Sequence, residues 1–391
     1  MKWNKWMLTS VVGVMLLAGC TPSDSENSEL TQEPTDTEET ETTHIPSIQL
    51  SDNYYRTLVP YKQSATRGLV VSNLNTKYDI KEVENGLMRL SQKVFSTDDY
   101  YFQEGQYLSQ STVENWLARP NQTKEEGEDE QGLNPSSVDK KGNALDAETK
   151  AEEAPVYLAH IVEQNYLKKT GDNKISLGGI SIGLAMNSVY YYQREQYGEF
   201  YEREITDKEL KAQGNKIAQE IINRLRGREE LADVPIVIGI FKQQAKESIV
   251  PGTYLQYSVS KAGRSDLGDW ESIKEEYVSF PMSSPKDKYR DMNKAFKDFQ
   301  FDVNEYFSNY TSLIGTGFYK DDNIQSLDVE IPIQFFGTSE IIGFTQYLTG
   351  VMLEQLPLDL PITISITSAN GPEALIKKSP NEDEPFVHIY E

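Results

Sequence analysis

After residue 50, apolar and polar positions switch repeatedly between helical and strand spacing. Val83, Leu87, Leu90 and Val94 recur at the three- and four-residue spacing of one helix face. Asp79, with Glu82 three residues on, predicts the N-cap pair that opens this helix. Residues 111–119 predict a shorter helix that Pro120 stops, because proline lacks the N–H that would continue the ladder. Residues 155–169, with Tyr157, Ile161 and Val162 inward and Gly171 at the end, predict another. Residues 175–192 read as a strand bent at two glycines. Thr206 and Glu209 supply a capping box for a helix through Leu210, Ile217, Ile221 and Leu225, ended by Gly227.

The second half continues in this manner. Residues 234–241 form an unbroken apolar run, the mark of a strand covered on both faces. Residues 254–260 alternate. Met292, Phe296, Phe299, Val303 and Phe307 mark a long amphipathic helix. Strands are predicted at residues 312–319, 327–336, 362–367 and 386–390, with a helix at 340–354. Strand, helix and strand from Leu327 to Thr367 have the length of one parallel crossover. The expected fold is therefore α+β, a mixed sheet with amphipathic helices. A boundary between two lobes is expected near residues 227–232, where a helix ends and a core strand begins.

The first twenty residues follow a different pattern. Lys2 and Lys5 precede an apolar run of about a dozen residues, too short for the ~20 that span a bilayer and right for a secretory signal. The run ends in Leu17-Ala18-Gly19-Cys20: a branched apolar residue, two small residues and a cysteine. Small residues let the backbone enter a signal peptidase, and the Cys20 thiol can take a diacylglycerol thioether. Residues 1–19 are therefore expected to be a lipoprotein signal peptide. Cys20 is expected to carry palmitate-type acyl chains that hold the chain on the extracellular face of the cell membrane. Lipoprotein-processing enzymes are the implied partners. Cys20 is the only cysteine, so the mature chain has no disulfide.

Charge then divides the rest. The net charge is −23, and loss of Lys2 and Lys5 with the leader makes it −25. That excess excludes nucleic acid and an anionic membrane face as partners. Residues 21–44 hold eight acids and no Lys or Arg, so residues 20–50 are expected to be a disordered acidic linker ahead of an ectodomain at 51–391. Residues 122–154 hold ten acids against four lysines, centred on Glu125 to Glu130, and are expected to be a disordered acidic insertion. The run lacks the ligand spacing of a calcium loop.

Candidate catalytic chemistry is sparse. Gly179-Ile180-Ser181-Ile182-Gly183 fits the G-x-S-x-G of serine hydrolases, and His388 follows in the right chain order. A nucleophile elbow needs a helix starting at the serine, whereas here strand residues continue to Tyr192, so Ser181 is expected to be structural. His44, His160 and His388 are scattered and offer no zinc spacing. Glu271, Glu275 and Glu276 are expected on a solvated helix face. No catalytic, cofactor or metal residue is assigned. The 23 tyrosines include Tyr54-Tyr55, Tyr100-Tyr101 and Tyr190-Tyr191-Tyr192, which suit either sheet packing or a sugar or peptide.

Several blocks carry a family resemblance. They include Gly86-Leu87-Met88-Arg89-Leu90, Tyr101-Phe102-Gln103-Glu104-Gly105, Gly132-Leu133-Asn134-Pro135 and Ile182-Gly183-Leu184-Ala185-Met186-Asn187-Ser188-Val189-Tyr190. Later ones are Ile342-Gly343-Phe344-Thr345-Gln346-Tyr347, Asn370-Gly371-Pro372-Glu373-Ala374-Leu375 and Pro385-Phe386-Val387-His388-Ile389-Tyr390. Together they resemble the CamS family of sex-pheromone precursor lipoproteins of Gram-positive bacteria. The resemblance implies that a peptide signal lies in the tail of the signal peptide, released by proteolysis after lipoprotein cleavage. Gly13-Val14-Met15-Leu16-Leu17-Ala18-Gly19 is the matching stretch, with a peptide receptor as the implied partner. The resemblance brings no activity for the ectodomain. An extracellular binding lipoprotein for a small ligand or wall fragment, and an envelope hydrolase, remain as alternatives.

Overall fold

A strand that is apolar on both sides needs cover on both faces, whereas an alternating strand needs it on one. The two halves of the chain follow these two rules. The computed structural model describes residues 28–32, 42–120, 131–171, 174–306, 313–334, 337–380 and 382–391. They form an α+β fold of two lobes, each built on its own sheet.

The first lobe carries strands β1 (Ser28–Gln32), β2 (Thr42–Ile45), β3 (Arg56–Thr57) and β4 (Tyr101–Glu104), with helices α1 (Arg67–Asn73), α2 (Lys77–Ser91) and α3 (Gln110–Leu117). Then come α4 (Ala147–Glu153), β5 (Leu158–Gly171), β6 (Lys174–Asn187), β7 (Val189–Gln193), β8 (Phe200–Glu204) and α5 (Asp207–Arg226). Strands β9 (Ile236–Gln243), β10 (Thr253–Ser260) and β11 (Glu271–Ser272) complete it. The sheet runs β11-β10-β9-β6-β5-β4-β3, with β1 and β2 added beside β6, while β7 and β8 form a separate hairpin. Pairing of β6 with β9 is parallel and that of β5 with β6 antiparallel, so the sheet is mixed. Ile180, Ile182, Leu184 and Met186 of β6 pack under α3 and α5 against Trp116, Ile217 and Ile221. The opposite face packs under α2 against Leu87, Leu90, Phe95, Tyr166 and Tyr254.

The second lobe carries β12 (Glu275–Phe280), α6 (Arg290–Tyr306), β13 (Ile314–Lys320), β14 (Asn323–Pro332), α7 (Thr338–Gln355), β15 (Ile362–Ser368), β16 (Gly371–Lys378) and β17 (Phe386–Ile389). Its six strands lie in chain order. The expected crossover is present: β14, α7 and then β15 in parallel register, Leu327 opposite Ile362. Phe296, Phe299, Phe344, Leu348 and Met352 of α6 and α7 cover Leu327, Val329, Ile331, Ile364 and Ile366. Both helices lie on this one face.

Several expectations change. Residues 155–169 are mostly strand β5, not a helix, and ten of its residues from Leu158 are buried or nearly so. A strand buried on both faces loses its two-residue period and can pass for a buried helix. The strand at 175–192 breaks at Ser188 into β6 and β7. Thr76, not Asp79, caps α2, accepting from the Asp79 N–H at 3.0 Å. Asp79 instead reaches across to the β9–β10 connection, where its carboxylate accepts from the Gly252 N–H at 2.7 Å. Glu271 lies in β11, and Glu275 and Glu276 in β12, because these residues pair with β10 and β13. The capping box of Thr206 and Glu209 on α5 is as expected.

Residues 227–232 do not separate the lobes. They join α5 to β9 within the first sheet, and the sheets change between β11 and β12, at residues 273–274. Of the acidic stretch 122–154, residues 122–130 lie outside the described residues. Residues 131–154 are built into the first lobe through buried Asn134. Its amide nitrogen donates to the Leu117 and Leu158 carbonyls, and its oxygen accepts from the Tyr157 and Leu158 N–H groups. One satisfied buried amide fixes a stretch that composition alone reads as solvated. The linker at 20–50 also contributes strands. β9 covers β6 only from Ile180 onward, and β1 pairs with Lys174 and Ile175 on the edge that remains. Cys20, Leu17, Ala18, Gly19 and the stretch from Gly13 to Gly19 lie outside the described residues.

Candidate functional site

The face of the second sheet that bears no helix turns its polar residues toward α2 of the first lobe. Alternation produces this directly. Leu327, Val329 and Ile331 point into the core, so Asp328 and Glu330 point out. On β15, Ile362, Ile364 and Ile366 point in, and Thr363 and Ser365 out. Register places Thr316, Asp328 and Thr363 in one row across three strands, and Glu330 beside Ser365 in the next. Opposite them α2 presents Lys77, Tyr78, Lys81, Asn85 and Arg89. Lys77, Lys81 and Asn85 recur every four residues and therefore share one stripe. The space between is a cleft of about 630 Å³, also lined by Glu82, Pro251, Tyr277 and Val329. That size lies within the range of small-ligand sites.

The back of the cleft is closed by Arg89. Its Nη2 donates to Glu82 at 2.6 Å on its own helix and to Glu275 at 2.7 Å on β12. The guanidinium also stacks 4.8 Å from the Phe318 ring centroid. Burial works against its charge, but Glu82 and Glu275 outweigh burial and hold Arg89 protonated. Burial, then the charge of Glu82, raises the Tyr277 phenol far above its usual range, so Tyr277 enters the cleft as a neutral hydroxyl. One charge triad therefore spans both lobes next to the 273–274 connection.

A second, smaller cavity of about 180 Å³ lies inside the first lobe between α1, α2, β4 and β5. Glu104 accepts there from the Tyr61 hydroxyl at 2.5 Å and the Ser64 N–H at 2.7 Å, and pairs with Arg67 at 2.8 Å. Burial, then the charge of Glu104, raises the pKa of Glu84. His160 is buried beside this cavity on β5, not on a helix, with the Asn73 amide nitrogen 3.3 Å from Nδ1. Burial lowers its pKa to about 4, so the ring is neutral at physiological pH.

The hydrolase pattern has a packing explanation. Gly179, Ser181 and Gly183 all face α2. A Cβ at Gly179 would stand 2.4 Å from the Phe95 ring, and one at Gly183 would stand 2.4 Å from the Tyr254 hydroxyl. Ser181 is fully buried, its hydroxyl 2.7 Å from that of Ser91. Small residues at alternate positions thus let α2 and two aromatic rings approach the sheet. His388 lies on β17 of the other lobe, stacked on Phe386 and edge-on to Tyr390. The two residues share no site.

The tyrosine clusters also pack rather than converge. Tyr55 donates to the Phe95 carbonyl at 2.6 Å and touches Tyr166. Tyr190, Tyr192 and Tyr201 stack along the β7–β8 hairpin. The tyrosines in the cleft are instead Tyr78 and Tyr277. The sequence signal of the cleft wall is the strict alternation of Leu327 to Ile331 and of Ile362 to Ile366. Among the described residues, no group of three His, Cys, Asp or Glu could hold a metal. No described helix is long and apolar enough to cross a membrane.

Comparison with known proteins agrees with this architecture. Residues 61–384 match the family described as CamS sex pheromone cAM373 precursor. The C-terminal domain of the sex pheromone staph-cAM373 precursor from Staphylococcus aureus is 34% identical, with a TM-score of 0.68 over 82% of this chain and 98% of that one. The sex pheromone precursor from Lactobacillus salivarius subsp. salivarius UCC118 is 30% identical, with a TM-score of 0.79 over 89% of this chain and 99% of that one. No curated protein matches.

Proposed function

Because this chain belongs to the CamS family of sex pheromone cAM373 precursors, we propose that it is a surface lipoprotein with two products. One is a short apolar peptide from the tail of the signal peptide, within Gly13 to Gly19. The other is the folded ectodomain, held on the extracellular face of the membrane through diacylglyceryl-Cys20. The observation that carries this reading is the Leu17-Ala18-Gly19-Cys20 motif, whose cysteine is the only one in the chain. Freed of Lys2 and Lys5, the peptide has no charged side chain. Its few large apolar groups, each worth roughly 1.5–3 kcal/mol when buried, compete with two newly charged termini for a place in lipid. A fragment of this length can therefore leave the membrane, which the intact leader cannot.

Cys20→Ala tests the anchor. The variant is expected to accumulate as an unprocessed precursor that takes up no labelled fatty acid. Normal acyl labelling of the variant would remove the proposal.

A second reading concerns the folded region and is favoured by the cleft between the lobes. In it the ectodomain is a non-enzymatic binding module for a small extracellular ligand.

A further inference from the structure

The charges of the cleft lie on opposite walls. Lys77 and Lys81 stand one turn apart on α2, and Asp328 and Glu330 stand on the facing sheet. Among the described residues, none of Lys77, Lys81, Asp328 and Glu330 is in an ion pair within 4.0 Å, and all four are exposed. Arg89 is already committed to Glu82 and to Glu275. The cleft therefore sets two cations against two carboxylates: Lys81 and Asp328 attract each other across it without closing to an ion pair, Asp328 also takes a hydrogen bond from Thr363, and Lys77 rests 5.0 Å from the Tyr78 ring centroid. Hydroxyls of Thr316, Thr363 and Ser365 lie beside the carboxylates.

Resting on the binding reading above, we infer that this cleft takes a short peptide with free amino and carboxyl termini. A ligand carboxylate pairs with Lys77 and Lys81, and a ligand ammonium with Asp328 and Glu330. The hydroxyls of the sheet serve the amides between. The charge pattern argues against other classes. A neutral saccharide would cover four charges without pairing them, at a desolvation cost. A small anion would meet Asp328 and Glu330, and a simple cation would meet the lysines. Only a ligand with both charges at opposite ends satisfies both walls, and a cleft of about 630 Å³ admits a few residues. Apolar side chains find cover only against Tyr78, Pro251, Tyr277 and Val329, so the charged termini and the backbone carry the recognition.

The test is equilibrium dialysis of the mature full-length protein in detergent micelles, read by mass spectrometry. Three probes are used: a pool of tetrapeptides with free termini, the same pool acetylated and amidated, and the heptapeptide Gly-Val-Met-Leu-Leu-Ala-Gly with free termini. The free pool should be retained and the blocked pool bound at least about tenfold more weakly. Lys81→Ala and Asp328→Ala should each lower retention about tenfold or more while thermal unfolding is unchanged. Retention of the heptapeptide as well would make the chain's own leader one source of the ligand, and retention of the pool alone would point to peptides of other origin. Equal retention of free and blocked pools overturns the inference and leaves the binding reading standing. If neither pool is retained, the inference fails. Failure of N-acetylglucosamine oligomers under the same conditions would then remove the binding reading too.

Discussion

The first lobe closes both faces of its sheet and the second lobe closes one. In the first, α2 lies on one side of β6 and β9, and α3 and α5 on the other, so polar side chains of its strands such as His160, Glu163 and Gln164 are buried. These are held by hydrogen bonds: Glu163 accepts from the Gln106, Tyr107 and Leu108 N–H groups, and Gln164 donates to the Glu84 carbonyl. In the second, α6 and α7 share one face, and every second residue of β14 and β15 is free to carry chemistry. The lesson is that the lobe covered on one face supplies the polar sheet wall of the site, while the lobe covered on both faces supplies α2 as the opposing wall.

Paired substitutions on one strand break the comparison most strongly. On β6, Ile182→Ala should cost ~2–5 kcal/mol by leaving a cavity under α5. Ser181→Leu on the other face should cost ~1–3 kcal/mol through overpacking against α2. On β14, Val329→Ala should destabilise, whereas Asp328→Leu should lie within ~0.5 kcal/mol of the parent. Denaturant unfolding of the four variants checks this. A large cost at Asp328 would mean that the second sheet is covered on both faces after all.

The closed lobe should also respond to acid. His160 is buried with its pKa lowered to about 4, against about 6.5 when unfolded. The unfolded chain therefore binds the proton more readily between these values. Stability from this group is complete above pH 6.5 and is lost as pH falls toward 4. At ~1.36 kcal/mol per pKa unit, the loss is about 3 kcal/mol. His160→Gln should flatten this part of the stability–pH curve, and an unchanged slope would contradict the burial argument.

Next in size is the link between the lobes. Arg89→Ala leaves Glu82 and Glu275 facing each other without a cation and should cost ~2–3 kcal/mol. Protease cutting near residues 273–274 should rise in parallel, and cutting elsewhere first would place the weak point within a lobe. The smallest effect is expected for Lys81→Ala, an exposed residue with no ion pair within 4.0 Å among the described residues. Its stability should match the parent within ~0.5 kcal/mol.

The sequence made the α+β class, the mixed sheets and the β14–α7–β15 crossover legible, because alternation and helical spacing there are undisturbed. It concealed β5, where burial on both faces erased the two-residue period. It misplaced the lobe boundary because a helix end at Gly227 looks the same inside a lobe as between lobes. The connection at residues 273–274 has no glycine or proline to mark it. Asn134 and β1 lie in stretches whose composition looks solvated, since composition counts charges and takes no account of one buried amide or one open strand edge. The cleft was legible in principle from β14 and β15. It could not be recognised without knowing that α2, more than 230 residues away from them in sequence, stands opposite.

Mass spectrometry of the membrane-bound protein together with its culture supernatant tests the central proposal most directly. The account predicts a mature chain beginning at Cys20 with a diacylglyceryl group on its sulfur. It also predicts a supernatant peptide that begins near Val12 or Gly13 and ends at Ala18 or Gly19. An abundant chain that retains Met1, or a lipidated chain with no such peptide in the supernatant, would contradict it.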